Sequence, residues 1–209
     1  MGPARGTAQF HRPSGVGGHV AGWIMSTRPS NAARSHQAVR LLDVQPTDRV
    51  VELGCGPGVA VAALAARATQ GLVVGVDHSA VMIGQARRRN HAAVRADRVR
   101  LLRTPVEQLS LDEGVFDAAL AINTVGMWPD PPVRLRHVAR LLRPGGRIAL
   151  IGQPRRPGAD AADSESVGRT LADLLSEVGI EHVRTEMLAL DPPAAWVLGR
   201  TPRDLAEGD

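Results

Sequence analysis

The chain has no tyrosine and no lysine, a single cysteine, and only five aromatic residues (three Trp, two Phe) in 209 positions. A lone thiol, Cys55, can form neither an internal disulfide nor a cysteine-clustered metal site. So few rings argue against a surface that stacks bases, and hence against nucleic acid as the partner. No apolar run reaches the ~18 residues that a membrane span requires, so a soluble protein is expected. Arg5 and Arg12 are followed by no apolar core, so no secretory leader is expected and the cytoplasm is the expected compartment. Met1-Gly2 could open a myristoylation signal, but Pro3 follows and Gly6 stands where Ser or Thr is needed.

What is present suits one folded domain: 44% of residues are hydrophobic and 22% charged. Every basic side chain is arginine, 25 in all, a bias that reads as the codon usage of a GC-rich bacterial genome. The charge is uneven: residues 1–103 carry a net +9 and residues 104–209 a net −5. A basic half can guide an acidic partner, but a solvated face is the simpler reading.

Residues 1–30 are rich in glycine and read as a mobile arm that could close over a site as a lid. Residues 31–200 read as the domain proper and 201–209 as a tail. An Ala-rich helix over about 31–42 precedes the turn Gln45-Pro46-Thr47-Asp48. Arg49–Leu53 then reads as a buried parallel strand, followed by the glycine loop Gly54-Cys55-Gly56-Pro57-Gly58 and a helix over Val59–Ala68. The unit repeats with the strand Gly71–Asp77 and a helix capped by Ser79, with Val81, Met82 and Ala86 expected inward. Val99–Leu102, Val115–Ile122 and Arg147–Ile151 read as further strands, the last after a turn at Pro144-Gly145-Gly146. Val167, Leu171, Leu174, Leu175 and Val178 mark an amphipathic helix. The last two strands, His182–Leu190 and Ala195–Gly199, are joined too closely for a parallel crossover and must pair antiparallel. The alternation predicts a doubly wound, mostly parallel α/β sheet of seven strands ending in an antiparallel hairpin.

Such sheets bind ligands at the carboxyl ends of their strands, where the glycine loop falls. Gly54, Gly56 and Gly58 let a ligand approach the backbone and leave N–H groups free at a helix start. A dinucleotide fingerprint would need a further glycine where Val59 stands. Asp77, ending the second strand, is placed to accept hydrogen bonds from a ribose; the neighbouring His78 could line a base.

With Val115-Phe116-Asp117, Asn123 and Leu142-Arg143-Pro144-Gly145-Gly146 added in order, the chain resembles the class I S-adenosylmethionine-dependent methyltransferases acting on small molecules. The resemblance runs from about residue 30 to 200 and implies their Rossmann-like fold. It implies that Glu52 holds the methionine ammonium and that Gly54, Cys55, Gly56 and Gly58 contact the amino-acid moiety. Asp77 would bind the ribose, with His78 and Met82 alongside, and backbone near Asn123 would close the site by the methyl group. One departure stands out: Pro105 and Val106 occupy the place of the acid that usually holds the adenine amino group, leaving the amides of Val106 and Glu107 to serve.

The resemblance further implies direct in-line transfer of the methyl group from S-adenosylmethionine to a small-molecule acceptor, with no covalent enzyme intermediate. Asn123–Trp128 is expected to line the acceptor pocket, Met127 and Trp128 as apolar walls, with Trp23 of the arm closing over it. His19 is the candidate base, ahead of His36 and His137. Asp130-Pro131-Pro132-Val133 is similar to the motif of amino-methylating nucleic-acid enzymes but lacks its aromatic and lies too far past Asn123. No metal is expected, since Thr124-Val125-Gly126 stands where clustered acids would be needed. Alternatives are an RNA or protein methyltransferase guided by Arg87–Arg103, and a non-catalytic binding protein of the same fold; a homodimer is compatible with either.

Overall fold

The computed structural model describes residues 29–154 and 156–203. His19, Trp23 and the rest of residues 1–28 lie outside the described residues, as do Arg155 and 204–209. In chain order the elements are α1 (Pro29–Leu41), β1 (Arg49–Leu53), α2 (Val59–Arg67), β2 (Leu72–Asp77), α3 (Ala80–Arg89), α4 (His91–Arg95) and β3 (Val99–Arg103). They continue as β4 (Phe116–Ile122), α5 (Pro131–Leu141), β5 (Leu142–Gly152), α6 (Ala161–Glu177), β6 (Glu181–Leu188) and β7 (Ala194–Arg200).

The strands form one sheet in the order β3-β2-β1-β4-β5-β7-β6. The five strands from β3 to β5 run parallel, and β7 pairs antiparallel with both β5 and β6. The parallel strands are short apolar runs because helices cover both of their faces. Alternate side chains go to opposite sides. Val50, Val73, Ala118 and Leu120 pack beneath α1 and α2, against Val39, Leu42, Val61 and Leu64. Val51, Val74, Ala119 and Ala121 face the other way, toward Leu135, Val138 and Leu141 of α5 and Leu171 and Leu175 of α6. Full burial of a side chain such as Leu64 or Leu120 stabilises the fold by about 2 kcal/mol.

Two local expectations need correction. On α3 the Ser79 hydroxyl caps the helix by accepting from the Met82 N–H, as its position suggested. The inward face, however, is Met82, Ile83 and Ala86, with Val81 only half-buried. Met82, Ile83, Ala86 and Asn90 share one stripe at helical spacing, and Val81 lies a further 100° round. The fifth strand also starts early. It runs from Leu142, directly after α5, and Leu142 pairs with Phe116 before the register shifts so that Arg147 faces Ala118. The Arg143-Pro144-Gly145-Gly146 stretch is thus a bulge within β5, not a turn before it. Gly145 takes φ +72, and a Cβ on Gly146 would stand 2.8 Å from the Arg143 carbonyl. Asp130 of the first Asp-Pro-Pro run is the N-cap of α5, accepting from the Val133 N–H, with proline in the first helical turn.

β1 has β2 on one side and β4 on the other, so the order of winding reverses beside it. That reversal opens a crevice at the carboxyl ends of β1 and β4.

Candidate active site

The loop from Gly54 to Gly58 occupies that crevice. Its first half is tied to β2: the Val76 carbonyl accepts from the Gly54 N–H at 2.8 Å and the Cys55 N–H at 2.9 Å. All three glycines have positive φ, which L side chains rarely adopt. Their surroundings differ. A Cβ on Gly54 would lie 2.2 Å from Thr124 Cγ2, and one on Gly58 2.8 Å from Ala86 Cβ. A Cβ on Gly56 would meet nothing within 4 Å, so only conformation demands glycine there. Gly58 is the N-cap of α2 and offers no side chain, so the amides of the first turn stay available to a ligand or a nearby acid.

Asp77 is 8% exposed and held from both sides. Its Oδ2 accepts from the Gly56 N–H at 2.9 Å and its Oδ1 from the Ser79 N–H at 2.8 Å. Each oxygen keeps further acceptor capacity. His78 Nδ1 stands 3.8 Å from Oδ1, and its ring is half exposed. Glu52, on β1 beneath the loop, is 3% exposed, and its Oε2 has no hydrogen-bond partner. Burial, then the nearby Asp77 charge, raise its carboxyl to about 8, against the lowering effect of the Val61 N–H in the first turn of α2. Burial likewise pushes the Cys55 thiol up, with Glu52 and Asp77 adding to the effect.

A cavity of about 470 Å³ opens above these groups. One end, over β2 and β3, is formed by Val76, Asp77, His78 and Thr104–Glu107. The other end, past β4, is formed by Thr124, Met127, Trp128 and Pro129, with Leu53 and Gly54 of the β1 end between them. The volume falls within the range of about 300–1,000 Å³ seen for small-molecule and cofactor sites. The titratable side chains among its lining residues are Asp77, His78 and Glu107; the wall past β4 carries none.

Of the residues singled out in the sequence, Gly54, Asp77, His78, Pro105, Val106, Met127 and Trp128 line this cavity. Glu52 is buried below it. Cys55 is 5% exposed, with its sulfur near Gly75 in the sheet, and Met82 is 2% exposed in the core face of α3. Asn123 has φ +56, its Oδ1 accepts from the Gln153 N–H at 2.7 Å, and it is absent from the cavity lining. The left-handed turn at Asn123 leaves Thr124 as the residue of β4's end that faces the cavity. Thr124 also donates to the Leu53 carbonyl at 3.1 Å and fills the space that a Gly54 side chain would need. Sequence reading placed Thr124 on the acceptor wall but gave no sign of its contact with the loop, since 71 residues separate Thr124 from Leu53. Arg89 and Asn90 hold the second half of the loop, and nothing in the sequence pointed to that contact.

The residues fit S-adenosylmethionine on the chemistry of the donor set: an orphaned buried carboxylate oxygen for a cation, and a carboxylate with spare acceptor capacity at the end of β2. The family described as a methyltransferase domain matches residues 50–146. An uncharacterized methyltransferase of Bacillus subtilis, YdaC, is 27% identical over 173 residues, covering 83% of this chain and 92% of that protein. The 27-O-demethylrifamycin SV methyltransferase of Amycolatopsis mediterranei is 30% identical over 170 residues, covering 75% of this chain. The match takes in 62% of that relative, so the chain spans less than two thirds of its length. A crystal structure of an S-adenosylmethionine-dependent methyltransferase from Aquifex aeolicus is similar with a TM-score of 0.71 at 15% identity, covering 87% of this chain and 97% of its own; the likeness is one of fold.

Proposed function

We propose that the chain is a class I S-adenosylmethionine-dependent methyltransferase and that it methylates a small-molecule acceptor seated against Thr124, Met127, Trp128 and Pro129. The supporting observation is the division of one cavity into an end with a buried acid and an uncharged wall. S-adenosylmethionine, when bound, supplies a methyl group on a sulfonium, an electrophile that needs no activation by the protein. Asp77 would hold the ribose, its carboxylate already aimed by the Gly56 and Ser79 amides. Glu52 would take the ammonium, exchanging its proton for a cation. Leu53 and Gly54 form the floor between the two ends. Trp128 and Met127 keep water from the acceptor, which removes a competing nucleophile and orients the acceptor for displacement. We place the reaction in the cytoplasm; among the described residues no helix is long and apolar enough to cross a membrane. Where the acceptor must lose a proton, His19 is the proposed base.

The name of the Amycolatopsis relative gives a small molecule, 27-O-demethylrifamycin SV, as what that enzyme acts on. Release of S-adenosylhomocysteine is the assay: a panel of hydroxyl-, amine- and carboxylate-bearing small molecules is compared with bulk RNA and protein. Turnover with a member of the small-molecule panel alone supports the reading; turnover confined to RNA or protein overturns it.

One observation favours a second reading, methylation of RNA or protein. Arg87, Arg88, Arg95, Arg100 and Arg103 are exposed, and none takes part in the ion pairs found among the described residues, whose arginine members all lie between Arg136 and Arg184. RNA held by this edge would bind with a steep loss of affinity on adding salt.

A further inference from the structure

We propose that Arg89 and Asn90, at the end of α3, are positioning residues that clamp the second half of the cofactor loop. The first half of the loop has its own anchors on β2, through the Val76 carbonyl and the Asp77 carboxylate. Those anchors stop at Gly56. The next two residues present their carbonyls to α3. Arg89 Nη1 donates to the Pro57 carbonyl at 2.8 Å, and Asn90 Nδ2 donates to the Gly58 carbonyl at 3.1 Å, each from 32 residues along the chain.

Asn90 is 5% exposed and its Nδ2 also donates to the Ala86 carbonyl at 2.9 Å, so its amide direction is fixed from within α3. A Cβ on Gly58 would stand 2.7 Å from that Nδ2 and 2.8 Å from Ala86 Cβ. The absence of a side chain at Gly58 is therefore what lets the helix end approach the loop. The Gly58 carbonyl also accepts the first bond of α2, from Ala62 at 3.2 Å. Turning that carbonyl would turn the first turn of α2, whose Val61 N–H acts on the buried Glu52 carboxyl. Arg89 is partly desolvated at the contact, which lowers its pKa, and no acid pairs with it among the described residues. Its visible partner is a neutral carbonyl of the loop.

The clamp costs the ligand nothing to form, because it exists before binding. A loop held at both halves loses little further freedom when a ligand arrives, and affinity rises accordingly. The inference rests on the reading that the glycine loop receives the amino-acid end of S-adenosylmethionine. Loss of the clamp should then weaken ligands that carry this end and spare those that lack it.

The test is calorimetric titration of the wild type, Arg89→Ala, Arg89→Lys and Asn90→Ala with S-adenosylhomocysteine and with 5′-methylthioadenosine, which lacks the amino-acid moiety. Thermal unfolding of each variant is followed in parallel. Arg89→Ala should bind S-adenosylhomocysteine about tenfold more weakly. It should bind 5′-methylthioadenosine as the wild type does and unfold within about 2 °C of it. Arg89→Lys, which keeps a donor within reach of the Pro57 carbonyl, should recover most of the loss. Asn90→Ala should shift the ratio of the two affinities in the same direction, and Arg89 decides the matter if that variant does not fold. Equal affinity for S-adenosylhomocysteine in Arg89→Ala and wild type would overturn the clamp, as would an equal loss for both ligands. Failure of the folded wild type to bind S-adenosylhomocysteine would instead overturn the reading of the loop itself.

Discussion

Glu52 and Asp77 lie on adjacent strands, Glu52 opposite Gly75 and Asp77 two residues beyond, and Asp77 adds to burial in raising the Glu52 carboxyl to about 8. The folded protein therefore holds a proton on Glu52 that the unfolded chain releases above the ordinary value of 4.5. Between those values the native state binds more protons than the unfolded state, so this group's contribution to stability falls as pH rises and levels off above about pH 8. The full effect is on the order of 5 kcal/mol. Glu52→Gln should show a flatter profile than wild type in denaturant unfolding from pH 5 to 9, and should be the more stable of the two at pH 9. Parallel profiles would show that Glu52 ionises normally.

Ligand binding should carry the same proton. A cationic amino group beside Glu52 favours the carboxylate, so the proton leaves as the ligand arrives. Titration of S-adenosylhomocysteine at pH 7 in buffers of differing ionisation enthalpy should give release of about one proton in wild type and much less in Glu52→Gln.

Gly54 and Gly56 should separate conformation from packing. Both have positive φ, but only Gly54 has Thr124 in the way, at 2.2 Å from an added Cβ. Gly56→Ala should cost about 1 kcal/mol. Gly54→Ala should cost at least about 2 kcal/mol more, through overpacking. Thr124→Ala should recover part of that extra loss in the double variant, a coupling that urea unfolding of the four proteins would measure. Additive effects would mean that the loop yields without touching Thr124.

The extended apolar runs of β1, β2 and β4 and the glycine loop between β1 and α2 were legible in the sequence because each depends on a local pattern: continuous burial for a central parallel strand, and glycine where φ must be positive. The early start of β5 was not. Pro144-Gly145-Gly146 carries the composition of a turn, and only pairing with Phe116 draws Leu142 into the sheet. Periodicity found the inner face of α3 to within one residue but chose Val81 over Ile83, since three adjacent apolar residues fit a helical stripe in more than one phase. The site divides in the same way. Asp77 and His78 follow directly from the end of β2, whereas the approach of Thr124 to Gly54 and of Asn90 to Gly58 joins positions far apart in the chain and depends on how the elements pack.

The most direct measurement is calorimetric titration of S-adenosylhomocysteine into wild type and Asp77→Ala, with thermal unfolding to show that both are folded. Asp77 accepts from the Gly56 amide of the loop and the Ser79 amide at the start of α3, and the variant loses both of these as well as the proposed ribose contact. Wild type should bind at micromolar concentration, about −8 kcal/mol, and Asp77→Ala should bind at least about a hundredfold more weakly. A folded wild type without detectable binding, or equal affinity in the two proteins, would contradict the placement of the cofactor in this crevice.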